Sequence, residues 1–181
     1  PRGCDFCIVG KKEGRCSVKV ADLSEFWNGQ KNIVLLDPNM FACKDWKELS
    51  KQLIDSGSWV DFSQGCDIRI MTEEKAEYIR QMKIKQIHFA WDRYEDKNAI
   101  VPKFEMFKRD TGWNYRKMTV YVLCGFNTTI EQDLDRIYTL RDLGYSPYVM
   151  IYDKYKLKHG DVLKKLQRWV NSRFAFAAVK R

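Results

Sequence analysis

The sequence lacks several features that would assign it to a large class of proteins at once. No apolar run is long enough to span a membrane, and no secretory leader is visible. No linker rich in Pro, Gly or Ser divides the 181 residues, and no segment is of low complexity. Neither a P-loop nor a GxGxxG segment occurs, which weakens a nucleoside triphosphate or a dinucleotide as ligand. We therefore predict a single domain over residues 1–181, without a membrane partner.

Composition indicates a folded basic protein. Hydrophobic residues make up 45% of the chain and aromatic residues 14%, which is enough to bury a core. The net charge of +8 favours polyanionic partners such as nucleic acid or phosphorylated substrates, unless it serves solubility alone. Six cysteines occur in a chain that is large enough to need no disulfides, so they indicate a reduced, cytoplasmic protein.

Short apolar runs alternate with helical patterns along the chain. The runs are nearly continuous in apolar character, as is typical of strands buried on both faces of a parallel sheet; they cover residues 33–36, 59–62, 84–91, 118–123 and 148–152. Helical spacing of apolar residues predicts helices near 46–53, 76–82, 130–140 and 163–169, and a short one at 104–107. Thr128 and Glu131 are predicted to form the capping box of the helix near 130–140.

The order of elements predicts an α/β domain. A strand and a helix alternate about five times with roughly 30 residues per unit, which fits right-handed crossovers in a parallel sheet. The pattern leaves two architectures open, an open doubly wound sheet and part of a (β/α) barrel. In both, ligands bind beyond the carboxyl ends of the strands.

Polar residues follow the predicted strands at those carboxyl ends. Segment 64–69 combines glycine, amide and charged side chains, and segment 125–128 combines glycine with an amide. Ordinary loop polarity explains such short spans less well than a binding site does. We therefore predict a ligand site in this rim. Its candidate residues are Asp37, Asn39, Asp67, Arg69, Asp92, Gly125 and Asn127.

The most specific local feature is the C-x-x-C pair of Cys4 and Cys7. Such a pair suits zinc, an iron–sulfur cluster or a redox dithiol. Zinc would need two more ligands, but His88 and His159 are distant in sequence and the spacing to Cys16 matches no usual zinc module. We interpret His88 as a hydrogen-bonded core residue. The cysteines interpreted as packing residues are Cys16, Cys43, Cys66 and Cys124.

The segment Pro-Arg-Gly-Cys-Asp-Phe-Cys-Ile-Val-Gly, residues 1–10, resembles the C-x-x-x-C-x-φ-C loop of radical S-adenosylmethionine (SAM) enzymes, with Phe6 as the aromatic φ. The similarity, to uncharacterised bacterial and phage members, extends over nearly the whole chain through segments 35–39, 64–69, 90–92, 122–129 and 148–152. On this resemblance we expect the first motif cysteine directly before Pro1 and a first strand upstream of it, in a chain truncated at both ends. One departure is that Asp37-Pro38-Asn39 stands where the family has Gly-Gly-Glu.

The resemblance implies a partial (β/α)6 TIM-like barrel with parallel strands and an enzyme that performs radical chemistry. In such enzymes three cysteines hold a [4Fe–4S] cluster with one open iron, to which the amino and carboxylate groups of SAM bind. The reduced cluster cleaves SAM to a 5′-deoxyadenosyl radical, which abstracts hydrogen from the substrate. The implied partners are an electron donor such as flavodoxin or ferredoxin and a substrate that we leave open, with nucleic acid and peptide as candidates.

The resemblance also implies roles for individual residues. Cys4 and Cys7 would be cluster ligands, and Phe6 would pack near the adenine. The ammonium of SAM would be accepted by Asp37 and Asn39. Its carboxylate would pair with Arg69, unless that side chain forms a salt bridge to a neighbouring acid. The remaining expected contacts are the ribose hydroxyls with Asp67 or Asp92, and the adenine with Gly125 and Asn127.

Two other functions remain open at this point. One is a zinc- or redox-dependent binding module that uses Cys4, Cys7 and Cys16. The other is a basic α/β domain that binds nucleic acid, in which the cysteines are incidental. The residue directly before Pro1 separates the radical enzyme from these two functions, because only the radical enzyme requires a cysteine there.

Overall fold

The fold of the chain was analysed in a computed structural model that describes Phe6, Lys12, Gly14, residues 16–37 and residues 39–179. Five strands form one parallel sheet in the sequential order β1-β2-β3-β4-β5. The strands are β1 (Asn32–Leu35), β2 (Trp59–Cys66), β3 (Lys83–Trp91), β4 (Met118–Cys124) and β5 (Ser146–Ile151). All five predicted strands are confirmed, and β2 continues past its predicted end at residue 62.

Helices follow each strand. They are α1 (Trp46–Ser56), α2 (Glu73–Gln81), α3 (Lys97–Thr111), α4 (Ile130–Asp142), α5 (Val162–Asn171) and α6 (Arg173–Ala178). Single 3-10 turns lie at Leu23–Glu25, Met40–Ala42, Ile68–Ile70, Tyr94–Asp96 and Lys154–Lys156. Within the described residues no helix is both long and apolar enough to cross a membrane.

Two details of the predicted helices are wrong. The short helix expected around Phe104 and Phe107 is α3, which has 15 residues and contains Pro102. Phe104 and Phe107 are fully buried, and their packing stabilises a continuous helix despite the proline in its second turn. The capping box of α4 is also one residue later than predicted.

The cap of α4 is Thr129, whose hydroxyl accepts from the Gln132 amide, while the Gln132 side chain accepts from the Thr129 amide. Asn127 has a left-handed φ of 53°. This turn of the loop shifts the helix start from Thr128 to the next threonine. Both threonines are followed three residues later by a Glu or Gln, so the sequence pattern fits either.

The strand order determines which face of the sheet is covered. Right-handed connections between strands in sequential order put all the connecting helices on one face. Strand residues on that face are fully buried, as Val60, Phe89, Val120 and Val149 are at 0% exposure. Residues that alternate with them are partly exposed, including Trp59, Tyr148 and Met150 at 45–48%. We call this side of the sheet the open face.

A doubly wound sheet reverses its strand order at a switch point, and ligands bind there. The five described strands contain no such reversal. The chain is therefore an α/β protein with a singly wound parallel sheet, and its carboxyl edge is the place to look for a site.

Candidate functional site

The predicted rim residues of β2 and β3 lie close together at the carboxyl edge. Asp67 and Arg69 follow β2, and Asp92 and Asp96 follow β3, which is the neighbouring strand. Arg69 lies between the two loops, with its guanidinium 4.0 Å from the Asp96 carboxylate. The charges of Arg69, Asp67 and Asp96 all act on Asp92. The loops after these two strands thus bring Asp67, Arg69 and Asp92 together at one edge of the sheet.

Arg69 and Asp67 form a closed ion pair. The Asp67 carboxylate caps the 3-10 turn by accepting from the Arg69 amide at 3.0 Å, and it accepts from Nε and Nη2 of the same residue at 2.9 and 2.8 Å. Burial raises the pKa of Asp67, but the hydrogen bonds and charge of Arg69 outweigh burial and lower it overall. Arg69 therefore forms the salt bridge to a neighbouring acid that the sequence left as the alternative, and binding of a ligand carboxylate would have to share its guanidinium with Asp67.

Asp92 is the rim carboxylate with the most perturbed titration. Burial raises its pKa to about 6, against the lowering effect of Arg136 and Arg69, and the nearby charges of Asp67 and Asp96 raise it further. An acid with a pKa near neutrality in a rim of charged groups is a marker of functional sites. Asp92 can act as a hydrogen-bond donor below that pH and as an acceptor above it.

Arg136 is a residue of the rim that the sequence analysis missed. Its guanidinium donates to the carbonyl oxygens of Trp91 at 2.7 Å and Leu123 at 2.8 Å, and it pairs with the Asp133 carboxylate at 2.5 Å. Both charged side chains are 0% exposed. Arg136 thereby ties together the ends of β3 and β4, directly below Asp92. A signal was present, because Asp133 and Arg136 occupy core-face positions of α4 in register with Ile137 and Leu140.

Aromatic rings line the rim beyond β4 and β5. The Phe6 ring meets that of Phe126 edge to face at a centroid distance of 5.1 Å, and Phe126 meets Tyr152 at 4.8 Å. Phe126 follows β4 and Tyr152 follows β5, so Phe6 belongs to the carboxyl edge. Phe6 is the aromatic residue of the C-x-x-C segment. Cys4 and Cys7 themselves lie outside the described residues.

The rim beyond β1 holds Asp37 and Asn39. Asp37 is exposed, whereas Asn39 is partly buried. The side-chain oxygen Oδ1 of Asn39 is buried without a donor among the described residues. A buried amide oxygen without a partner costs free energy, so it is a natural acceptor for an N–H group of a ligand. This agrees with the expected role of Asn39 toward an ammonium group.

Gly125 is required by the fold itself. Its φ is 77°, and a Cβ at this position would lie 2.8 Å from Cδ1 of Leu163 on α5. The space over this glycine is therefore filled by a side chain of the protein. Asn127 is exposed, with its backbone in the left-handed region, and nothing in the described structure fixes its side chain on a ligand position.

The described cysteines do not form a metal site. Cys43, Cys66 and Cys124 are buried, as predicted, but Cys16 is exposed and so is not the packing residue we expected. Cys16 lies in an irregular segment before the first turn. Burial raises the pKa of the Cys66 thiol, and it raises that of Cys124 to about 12, so both are protonated at neutral pH. Among the residues that the structure describes, no group of three or more His, Cys, Asp or Glu side chains is placed to bind a metal ion.

The site thus combines a buried amide oxygen, a carboxylate that titrates near neutrality, a buried guanidinium and a group of aromatic rings. The first two lie in the loops after β1 and β3, the guanidinium lies on α4, and the rings come from Phe6 and from the loops after β4 and β5. No family model matches this chain, and no curated protein or solved structure matches it either.

Proposed function

We propose that this chain is the core of a radical SAM enzyme, with its five strands forming part of a (β/α)6 barrel. The sequential, unreversed order of parallel strands supports the barrel, because a barrel is wound in this way and a doubly wound sheet is not. The proposed reaction is reductive cleavage of SAM followed by hydrogen abstraction from a substrate. An electron donor of the flavodoxin or ferredoxin type and a cytoplasmic location belong to the same proposal.

The contact between Phe6 and Phe126 carries this proposal. The C-x-x-C segment and the strand-end segment around Gly125 are more than 100 positions apart, and each was assigned to the same site from sequence alone. Their aromatic residues meet at the carboxyl edge, where SAM and its cluster would have to lie. A zinc module or a nucleic-acid-binding domain gives no reason for this meeting.

The described residues fit SAM in chemical type. The unpartnered Oδ1 of Asn39 and the exposed carboxylate of Asp37 would accept from its ammonium group. The rings of Phe6, Phe126 and Tyr152 form a surface on which adenine would stack. Asp92 would accept from a ribose hydroxyl. Gly125 and Asn127 fit less well, because Leu163 fills the space over the glycine.

The cluster would be held by Cys4, Cys7 and a third cysteine, and when bound it supplies the electron that cleaves the sulfonium. The protein would orient the sulfonium and exclude water from it. Arg136, through its bonds to Trp91 and Leu123, would hold the ends of β3 and β4 at a fixed separation beneath the ligand. Arg69 would keep Asp67 charged, since its hydrogen bonds and charge lower the pKa of that carboxyl.

The proposal is tested by anaerobic reconstitution with iron and sulfide. Two versions of the chain are compared, one with a cysteine added before Pro1 and a matched one with a serine added there. We expect four irons and four sulfides per chain in the cysteine version and substoichiometric iron in the serine version. Equal and low iron in both versions would contradict the proposal. Four irons in both would show that another residue, such as Cys16, completes the ligand set.

A second candidate function is binding of single-stranded nucleic acid, and one observation favours it. In the loop after β5, Tyr155 is fully exposed at 101% and stands among Lys154, Lys156 and Lys158, which are also exposed. Exposed aromatic rings among cationic side chains bind bases by stacking and phosphates by charge. Binding of a labelled RNA oligonucleotide that is lost on Tyr155→Ala and falls steeply with salt would support this function, and it is compatible with a nucleic-acid substrate.

A further inference from the structure

A row of polar and aromatic side chains crosses the open face of the sheet, at a distance from the carboxyl edge. It runs from Asp61 on β2 through His88 on β3 to Tyr121 on β4 and Tyr148 on β5. The His88 and Tyr121 rings stack at 5.1 Å with an interplanar angle of 9°, and Tyr121 meets Tyr148 at 5.8 Å. Tyr121 lies three residues before the end of β4, which corresponds to about 10 Å below the rim.

His88 is a buried, hydrogen-bonded residue, as predicted, and its ring is part of this row. Its Nδ1 lies 2.9 Å from the carbonyl oxygen of Phe62. Because a carbonyl only accepts, Nδ1 carries a proton. Nδ1 also lies 3.9 Å from the Asp61 carboxylate, which favours the same tautomer.

Two hydrogen-bond donors at the row are used within the protein. The Tyr121 hydroxyl donates to the Ser63 carbonyl at 3.0 Å, and Nε2 of Gln86 donates to the Thr119 hydroxyl at 2.8 Å. Two other polar atoms are buried and have no hydrogen-bond partner among the described residues. They are Oδ1 of Asp61, which accepts, and Oγ of Ser63, which can accept or donate.

Asp61 also brings a negative charge into an aromatic environment. In the described structure the group that approaches it as a salt-bridge partner is His88, whose Nδ1 donates to Phe62 instead. Burial raises the pKa of the Tyr121 hydroxyl, and the charge of Asp61 raises it further. The Asp61 carboxylate and the Tyr121 hydroxyl are therefore close enough to interact electrostatically. Among the described residues no lysine or arginine pairs with this carboxylate. Beside unpartnered polar atoms and ring faces, it is complementary to a ligand that is positively charged and rich in N–H donors.

We propose that this row is a binding site for a small organic cation, a guanidinium or primary ammonium group, held by the Asp61 carboxylate and packed against the rings of Tyr121 and Tyr148. The site does not depend on a cluster or on SAM. If the proposed radical chemistry is right, a cation bound here would lie below the rim, on the side from which a substrate would present its hydrogen.

The test uses the whole chain without iron or SAM and measures binding of two probes by calorimetry. The probes are N-acetyl-argininamide and N-acetyl-citrullinamide, which have nearly the same shape but differ in charge. We expect the arginine probe to bind roughly ten- to hundredfold more tightly, as for loss of a charged hydrogen bond. Asp61→Asn should remove that preference, whereas Asp55→Asn, a change of an exposed acid on α1, should preserve it.

Tyr148→Leu provides a second test that does not endanger the fold, because this ring is 45% exposed. It should weaken the arginine probe severalfold through loss of the ring face. Equal binding of the two probes would overturn the proposal, as would no saturable binding of the arginine probe below about 10 mM. The proposal would also be overturned if adenosine bound more tightly than the arginine probe and if Asp61→Asn left adenosine binding unchanged. The row would then be a site for a neutral aromatic ligand.

Discussion

The guanidinium of Arg136 and the carboxylate of Asp133 form an ion pair in which neither residue is exposed to solvent. The pair lies under the ends of β3 and β4, because Arg136 also donates to the carbonyls of Trp91 and Leu123. Nε of Arg136 and Oδ2 of Asp133 have no partner among the described residues. Not all polar atoms of the pair are therefore hydrogen-bonded. What the pair does is hold the ends of two strands in a fixed position.

Removal of one partner should be costly. Arg136→Gln leaves a buried carboxylate without its cation, and we expect the free energy of unfolding to fall by about 3–5 kcal/mol. The measurement is urea unfolding followed by circular dichroism. Arg80→Gln on α2 is the matched control, since Arg80 is exposed and, among the described residues, pairs with Glu77 of the same helix. This change should alter stability little. Similar stability losses for the two variants would contradict this account.

Asp92 should make the chain less stable as the pH rises. Burial raises its pKa to about 6, above its ordinary value, so the folded chain binds the proton more strongly than the unfolded chain does. The contribution of Asp92 to stability is then present below its ordinary pKa and is lost as the pH rises through about 6.

Asp92→Asn should accordingly raise the free energy of unfolding by about 1–3 kcal/mol at about pH 8 and hardly at all at about pH 4. Unfolding curves over this pH range check it, with Asp55→Asn as the control in an exposed position. An equal effect at both pH values would show that charge is not the cause. A gain in stability at the expense of ligand binding is typical of residues kept for function.

The sheet was predictable because buried parallel strands are nearly continuous apolar runs, and a period of about 30 residues forces a crossover between them. The residues of the rim were predictable for the same reason, since they follow the strands. The order of the strands in the sheet was not predictable, because the sequence of an apolar strand does not specify which other strand pairs with it. Arg136 was not predicted because the apolar residues of α4 alone are enough to define its buried face. Asp133 and Arg136 lie on that same face.

The row on the open face was missed for a different reason. Asp61, His88 and Tyr121 lie on three different strands, and only the register brings them side by side. The stagger between β2 and β3 includes an irregularity between Val60 and Asp61, which pairs Asp61 with Gln86. A one-residue shift of this kind cannot be read from the sequence of either strand.

Gly125 should resist substitution because of the fold. Gly125→Ala adds a Cβ at a φ of 77°, 2.8 Å from Cδ1 of Leu163. We expect a loss of about 1–2 kcal/mol from the backbone conformation and a smaller loss from the displaced leucine. Gly160→Ala is the matched control, because its φ is 83° with nothing within 4 Å. Thermal unfolding of both variants, with and without Leu163→Ala, separates the two losses. The excess at Gly125 should vanish in the Leu163→Ala background.

Asn39 should be a binding residue and not a structural one. Its buried Oδ1 has no donor among the described residues, so Asn39→Leu removes an unsatisfied acceptor and should leave the free energy of unfolding unchanged or slightly raised. The same change should weaken SAM by about 1.5–3 kcal/mol, measured by equilibrium dialysis with the reconstituted protein. Asn98→Leu, an exposed change on α3, is the control for both measurements. Loss of stability without loss of SAM affinity would reverse the assignment.

Cys7 should be essential for iron binding and for SAM cleavage. In the chain with a cysteine added before Pro1, supplied anaerobically with dithionite and SAM, we expect slow formation of 5′-deoxyadenosine even without substrate, because cleavage needs only the cluster and a bound sulfonium. Cys7→Ala should abolish this product and most of the bound iron, since two thiolates cannot hold the cluster with one open site.

Cys16→Ala is the matched control, because Cys16 is an exposed free cysteine, and this variant should keep both iron and product. Chromatography of the nucleosides and iron analysis measure the two effects. A Cys7→Ala protein with undiminished iron and unchanged 5′-deoxyadenosine formation would remove the radical SAM assignment, whereas loss of both properties in Cys16→Ala would place Cys16 among the ligands.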